Sequence, residues 1–209
     1  MRTTSMSLLN AEVDPFKLPK LMTPRQLEYW ILFSIAVAGK GADQTHKKLN
    51  AALADMPSDR ASSYDSPFNR VLWADMIPRE LYKILKRNKL GKYRLLLRAF
   101  RAAARLDAEH IDIPTLEAVP GIGPKSARLI MLYSAPEANC VPLDTHILKY
   151  LAAQGIKDVP KSTPAAGPRY NKLERQFQLL ARVQGKTVRE LDTEVWNSYA
   201  KRAAQKAGA

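Results

Sequence analysis

The sequence predicts an all-α protein. Most segments between turn residues carry apolar side chains at intervals of three and four, which is the spacing of a helix with one buried face. Several of these segments begin with a capping residue and a proline, and several end at glycine. No segment alternates apolar and polar residues in the way that predicts a β-strand. With 209 residues, 46% of them hydrophobic, the chain is expected to fold around a core without covalent cross-links.

The first predicted helix is the most apolar one. Thr23 is placed to cap it and Pro24 to begin it, after an irregular arm over residues 1–22. The nearly continuous apolar run over residues 29–38 predicts burial on most sides, and glycines at 39 and 41 mark its end. This helix is therefore expected to lie in the core.

The next stretch predicts three shorter helices. Asp43 is a candidate cap for a helix through HKKLNAALADM, and the loop MPSDRASSYDSP leads to a second helix over SPFNRVLWADM. Pro78 is expected to open a third helix through RELYKILKRN, which Gly91 stops.

A strongly basic helix follows, over KYRLLLRAFRAAARLD. Residues 83–105 contain nine Lys and Arg and no Asp or Glu. Four of these form one stripe of the helix, opposite its apolar face: Arg94, Arg98, Arg101 and Arg105. Because solvent-exposed faces usually mix charges, we interpret this stripe as a phosphate-contacting surface. The formal net charge of +13 for the whole chain likewise favours a polyanionic partner, nucleic acid before an anionic membrane.

The second half of the chain predicts a helical hairpin and three more helices. IPTLEAVPGIGPKSARLIMLYS predicts a short helix, a glycine turn and a second helix. Asp144 is placed to cap a helix that Gly155 closes. A linker, KDVPKSTPAAGP, precedes the final helices RYNKLERQFQLLARVQ and TVRELDTEVWNSYAKRAAQ, in which Trp196 and Tyr199 are expected to be core residues.

The glycine turn has the composition of a phosphate-binding site. Gly121 and Gly123 permit backbone angles that a side chain would forbid, and Pro124 suits the first position of the following helix. The unpaired amides and positive dipole end of that helix favour one backbone phosphate. Ile122, between the glycines, is expected to point inward.

Together, VPGIGPKSA and the LDTH that follows resemble the signature of the helix-hairpin-helix DNA glycosylases, the endonuclease III superfamily. Asp144 lies 19 positions after Lys125, a spacing similar to the family's. The resemblance covers roughly residues 20–155. It implies a two-lobed fold with the active site in the groove between lobes. Residues 23–136 would form a barrel-like lobe with the hairpin, and residues 1–22 plus 137–209 a second helical lobe.

The resemblance also implies the reaction. Lys125 matches the family lysine that attacks the sugar C1′ carbon, and Asp144 matches its essential aspartate. The implied activity is base excision repair, as a DNA glycosylase with AP lyase activity. It would act as a monomer on a damaged, mismatched or modified base flipped out of double-stranded DNA. The expected DNA-binding residues are Lys40, Gln44, Lys89, Lys92, Arg94, Arg98, Arg101, Gly121, Ile122, Gly123, Lys125, Ser126 and Arg128.

The chemistry also follows from the residue types. Cleavage of an N-glycosidic bond builds positive charge on the deoxyribose, which a fixed carboxylate stabilises. A neutral lysine amine can displace the base and leave a Schiff base, from which elimination nicks the strand. The alternative for Lys125 is a cation that only binds phosphate, and for Asp144 a simple helix cap. His146 is interpreted as a structural hydrogen-bonding residue.

Two departures from the family pattern are visible. Many relatives hold an iron-sulfur cluster with four cysteines, but this chain has only Cys140, so we expect no disulfide, metal or cofactor. Where the family often has a glutamine that fills the gap left by the flipped base, the chain reads AGKGAD. The candidates for that role are Lys40, Gln44 and the loop over residues 87–90.

Several alternatives stay open. Tyr29, Trp30, Phe33 and Tyr133 are candidates for the base pocket or for the core, and the base itself is not identified. Other readings of the whole chain are a glycosylase-like enzyme of viral DNA base hypermodification and a non-catalytic DNA-binding protein. The first residues lack a secretory pattern and no apolar run is long enough to span a bilayer, so a cytoplasmic, DNA-associated protein is expected.

Overall fold

The computed structural model of the chain describes residues 13–15, 17–58, 65–135 and 137–207, with side chains as far as residue 199. These residues form ten α-helices and one short 3-10 helix, and no β-strand, which confirms the predicted all-α class. None of these helices has the length and apolar character that crossing a bilayer requires. The helices are α1 (Pro24–Ala36), α2 (Ala42–Asp55), α3 (Pro67–Met76), α4 (Glu80–Arg87), α5 (Tyr93–Ala103), the 3-10 helix (Ala108–His110), α6 (Ile113–Glu117), α7 (Pro124–Ser134), α8 (Thr145–Ala153), α9 (Pro168–Val183) and α10 (Val188–Ala207).

The chain divides into two compact units, residues 1–122 and residues 123–209. This boundary differs from the predicted lobes, which placed residues 123–136 with the first lobe. Helix α7 belongs to the second unit because its Leu132 lies in the same buried cluster as Val141 and Leu151. Residues 1–12 and 16, part of the predicted second lobe, lie outside the described residues. The two-lobed arrangement stays a prediction.

Helix α1 begins as its sequence predicts. The Thr23 hydroxyl accepts from the Gln26 amide, the Gln26 side chain accepts from the Thr23 amide, and Pro24 occupies the first turn. Residues 29–36 are buried, and α1 packs on α2, α3 and α5. The helix ends at Ala36, shortly before Gly39, which adopts a left-handed φ of 73°.

Two predicted helix starts were wrong. Gly41, rather than Asp43, caps α2; Asp43 lies in the first turn and pairs with Lys47 at 2.9 Å on the surface. Helix α4 begins at Glu80 rather than at Pro78, because the chain first makes a turn with a left-handed Arg79. Both starts depend on backbone turns that the residue types alone do not specify.

A buried ion pair fixes the approach to α3. The Arg70 guanidinium donates to both carboxylate oxygens of Asp65, at 2.7 and 2.6 Å, and also to the Leu53 carbonyl at 3.1 Å. Both charged side chains are almost fully buried. The arrangement ties the end of α2 to the start of α3, the helix predicted over SPFNRVLWADM, which Ser66 caps.

The second unit is built around α10, which packs on α7, α8 and α9. Leu191 and Val195 of α10 are buried, and Tyr199 packs against them with part of its surface exposed. Trp196 is 47% exposed, so its predicted place in the core was wrong. Residues 191, 195 and 199 share one face at a spacing of four, and Trp196 lies about 100° from that face.

Candidate functional site

The hairpin between α6 and α7 forms as predicted, but only one of its glycines needs to be glycine. Gly121 has a φ of 91°, in the left-handed region that side chains disfavour. Gly123 has a φ of −99° and a ψ of −179°, extended backbone that any residue adopts, and serves as the N-cap of α7. Ile122 is 5% exposed, which confirms that it points inward.

Lys125 lies in the first turn of α7, directly after Pro124. The first hydrogen bond of this helix runs from the Ala127 amide to the Gly123 carbonyl at 3.0 Å, so the amides of Lys125 and Ser126 come before it. The side chains of both residues are half-buried. This turn therefore combines two amide donors, the positive end of a helix dipole and an amine.

Asp144 caps α8, as predicted. Its Oδ1 accepts hydrogen bonds from the amides of His146 at 2.8 Å and Ile147 at 2.9 Å. Its Oδ2 accepts no hydrogen bond from a described residue. One oxygen thus holds the carboxylate in a fixed position, while the other remains available for a ligand.

The segment that leads to Asp144 is held by α9. The buried Tyr170 hydroxyl donates to the Val141 carbonyl at 2.8 Å and accepts from the Leu143 amide at 3.0 Å. The Glu174 carboxylate accepts from the Val141 amide at 2.8 Å. Sequence reasoning missed both residues, because they lie about thirty positions from their partners and no local pattern connects them. They act as positioning residues for Asp144.

A third acidic residue, Asp192, lies on α10, which packs on α7, the helix that carries Lys125, and on α8, the helix that Asp144 caps. It is 7% exposed and accepts a hydrogen bond from the Tyr133 hydroxyl at 2.7 Å. Burial raises the pKa of Asp192 to about 6; the Tyr133 hydrogen bond lowers it, the Asp144 charge raises it and the Lys125 charge lowers it. We call Lys125, Tyr133, Asp144 and Asp192 the lysine–carboxylate cluster; all four belong to the second unit.

The sequence did carry a signal for Asp192. Val188, Leu191 and Val195 form the buried face of α10, and Asp192 falls within it at a spacing of four from Val188. An aspartate on an apolar helix face is unusual, because burying a carboxylate is unfavourable unless it is paired or functional.

Burial of Asp192 should make folding stability depend on pH. Its folded pKa is above its ordinary value of 3.8, so between about pH 4 and pH 6 the folded state holds a proton that the unfolded state has released. Stability should therefore fall as pH rises through this window. The Asp192→Asn variant lacks this titrating group. Its free energy of unfolding, relative to that of wild type, should therefore rise by up to about 3 kcal/mol from pH 4 to pH 7. Urea unfolding at several pH values measures this.

Glu137→Gln provides the matched control, because it removes one carboxylate from an exposed position. Its stability should run parallel to that of wild type over the same pH range. Equally parallel curves for Asp192→Asn would contradict the raised pKa.

His146 makes a different contact from the one predicted. Its ring stacks on Tyr199 with centroids 5.3 Å apart and planes 25° from parallel. Its Nδ1 is buried and has no hydrogen-bond partner among the described residues. The structure thus shows a stacked ring, rather than the expected hydrogen-bonding side chain.

Arg128, predicted to bind DNA, is instead an internal residue of the second unit. It is 8% exposed, its Nε donates to Glu174 at 3.0 Å, and its guanidinium lies 4.2 Å from the centre of the Tyr170 ring. The prediction failed because the partners come from α9, far along the chain. Arg128 supports the residues that position Asp144.

The basic stripe on α5 is partly neutralised. Arg101 donates to Asp75 of α3 at 2.5 Å, and Arg105 lies 3.8 Å from the same carboxylate. Arg94 and Arg98 are exposed and form no ion pair with a described residue. The carboxylate that pairs with these arginines comes from a different helix. The absence of acidic residues within residues 83–105 therefore gave no sign of these ion pairs.

Two lysines fasten the loops before α2 and α5 to each other. The Lys40 ammonium donates to the Ala36 carbonyl at 2.9 Å and to the Leu90 carbonyl, and the Lys92 ammonium donates to the Ala38 carbonyl at 3.1 Å. Partial burial, with the nearby charges of Lys92 and Lys48, lowers the pKa of Lys40.

These contacts bear on the residue expected to fill the flipped-base gap. Lys40 is occupied by backbone carbonyls, and Leu90, in the loop named as a third candidate, is 2% exposed. Gln44 is exposed in the first turn of α2, and Lys89 is exposed in the loop before α5. Among the candidates, Gln44 and Lys89 have side chains that form no hydrogen bond or ion pair with a described residue.

The candidate pocket aromatics fall into two groups. Tyr29, Trp30 and Phe33 are at most 4% exposed and form part of the core of the first unit. Tyr133 is half-buried in the lysine–carboxylate cluster, with the Arg189 guanidinium 4.9 Å from its ring centre.

In comparisons with known proteins, no family model, no curated protein and no solved structure matches the chain.

Proposed function

We propose that the chain is a DNA glycosylase with AP lyase activity, in which Lys125 is the nucleophile and Asp144 stabilises the sugar. The observation that carries the proposal is the lysine–carboxylate cluster. An amine at the start of α7 and a fixed carboxylate at the start of α8 lie on two helices that pack against α10, which carries the buried acid Asp192. Clustered ionisable groups with a perturbed pKa favour a catalytic site. The substrate is double-stranded DNA with a damaged, mismatched or modified base, and the enzyme acts as a monomer.

The reaction uses the two residues at different atoms. The neutral Lys125 amine forms a bond to C1′ while the glycosidic bond breaks, and the base leaves with its electron pair and takes up a proton. Asp144 Oδ2 lies at the sugar and stabilises the positive charge that develops on it. Ring opening gives a Schiff base to Lys125, and loss of the 2′ proton then expels the 3′ phosphate and nicks the strand.

DNA binding is supported by charge and by the hairpin. The amides of Lys125 and Ser126, with Gly123 leaving room for a close approach, suit one phosphate. Arg94 and Arg98 supply exposed cations on α5. Gln44 is proposed to fill the space that the flipped nucleotide leaves, because a vacated stack has to be filled.

The function is tested with a panel of duplexes that carry oxidised, deaminated, alkylated, mismatched and hypermodified bases. Each is scored for base release, strand nicking and a covalent adduct trapped by borohydride. Base release with a trapped adduct supports the proposal. DNA binding without base release or adduct on any duplex, including one with a preformed abasic site, would leave only a DNA-binding protein.

Arg94→Ala with Arg98→Ala should weaken DNA binding equally on all sequences. Each arginine that contacts a phosphate releases about one counterion, so the slope of log affinity against log salt should fall by about 2. Titrations at several salt concentrations measure the slope. The control is Lys172→Ala with Arg175→Ala, which removes the same charge from exposed positions on α9. Equal changes in the two double variants would show that the α5 stripe makes no phosphate contact.

A further inference from the structure

Asp192 has an environment that folding alone does not explain. It is 7% exposed, yet it forms no ion pair with a described residue, and the Tyr133 hydroxyl is its hydrogen-bond donor. A buried carboxylate of this kind is normally replaced by an apolar side chain or paired with a cation. Its retention on the apolar face of α10 points to a chemical role.

The two carboxylates of the cluster are held in different ways. Asp144 accepts hydrogen bonds from two backbone amides, and this helix cap fixes its position. Asp192 is buried on α10, the helix that packs against α7 and α8, and accepts a hydrogen bond from the Tyr133 hydroxyl. The charges of Asp144 and Lys125 shift its pKa in opposite directions. A pair of acids in unlike surroundings is the usual basis for a division between a charge stabiliser and a proton acceptor.

We propose that Asp192 accepts the proton that the Lys125 ammonium has to lose before it attacks C1′. This inference rests on the proposed function. The proton moves from Lys125 Nζ through a water to an Asp192 carboxylate oxygen, and leaves an electron pair on Nζ for the new bond to carbon. Asp192 becomes a neutral carboxylic acid and later returns the proton to solvent. Tyr133 is a positioning residue that holds the accepting carboxylate.

The groups around Asp192 are consistent with this role. Helix α7 contributes Lys125 and Tyr133, the start of α8 contributes Asp144, and α10 itself contributes Thr193 and Arg189 beside Tyr133. Cys140 precedes α8. Burial, with a smaller effect of the Asp192 charge, raises the pKa of its thiol to about 11, so the thiol stays neutral. Lys125 is the cation near Asp192 that a glycosylase needs to deprotonate.

The test measures the rate of borohydride trapping on a duplex with a preformed abasic site, between pH 4.5 and pH 8. This substrate needs no knowledge of the excised base. Wild type should lose rate below about pH 6 as Asp192 becomes protonated. Asp192→Asn should trap DNA about 100-fold more slowly at pH 7, and its rate should no longer fall at acidic pH. We call this fall in rate the acidic limb; Asp192→Glu should restore both the rate and the limb.

Tyr133→Phe supplies a second variant, which keeps the carboxylate. Because the Tyr133 hydrogen bond lowers the pKa of Asp192, its removal should move the acidic limb to higher pH. A purely structural role would reduce the amount of folded enzyme without moving the limb. An unchanged limb in both Asp192→Asn and Tyr133→Phe, with wild-type trapping intact, would overturn this inference alone. No Lys125-dependent adduct in wild type would overturn the proposed function, and this inference with it.

Discussion

Lys125→Ala is expected to abolish the covalent adduct that borohydride traps between the protein and DNA, with a loss of at least about 1,000-fold in trapping rate. The methyl group of alanine has no electron pair to attack C1′. Binding should persist, because the backbone amides of residues 125 and 126 remain at the start of α7 and only one cation is lost. The measurement combines trapping on an abasic-site duplex with DNA affinity at a fixed salt concentration.

Lys149→Ala is the matched control for this variant. Lys149 is exposed on α8, so the substitution removes the same charge from the same unit without touching the lysine–carboxylate cluster. It should trap DNA at the wild-type rate. Undiminished trapping in Lys125→Ala would remove Lys125 from the nucleophile role and leave it as a phosphate-binding cation.

The helices were predictable where local chemistry determines them. Thr23 with Pro24, Ser66 and Asp144 each supply a side chain that satisfies an amide in the next turn, and each begins a helix in the structure. Helix starts at Gly41 and Arg79 depend instead on backbone turns without a side-chain cap. Such starts follow from tertiary packing, which composition and periodicity do not encode.

Charged residues were harder to assign, because their partners come from distant parts of the chain. Arg128 and Arg101 were predicted to contact DNA, but each forms an ion pair with a carboxylate of another helix, Glu174 and Asp75 respectively. For Asp192, the sequence shows its position on the apolar face of α10, but it does not show which residues of other helices surround it. Lys125 and Asp144 came from a motif, and what the structure adds is the buried acid on which both charges act.

Asp144→Asn separates the two roles of this residue, because asparagine caps helices about as well as aspartate does. The Asn oxygen can still accept from the amides of residues 146 and 147, so the thermal midpoint should change little, whereas Asp144→Ala should cost about 1 kcal/mol of stability. Base release should nevertheless fall about 100- to 1,000-fold in the Asn variant, since a neutral amide cannot offset positive charge on the sugar.

The same variant also separates base release from the later steps. A preformed abasic site has no glycosidic bond to break, so Asp144→Asn should trap such DNA far better than it releases a base. Because the Asp144 charge raises the pKa of Asp192, the acidic limb of that trapping should move to lower pH, opposite to its shift in Tyr133→Phe. Full base release by Asp144→Asn would reduce Asp144 to a helix cap. Shifts of the limb in the same direction in both variants would mean that the limb reports a group other than Asp192.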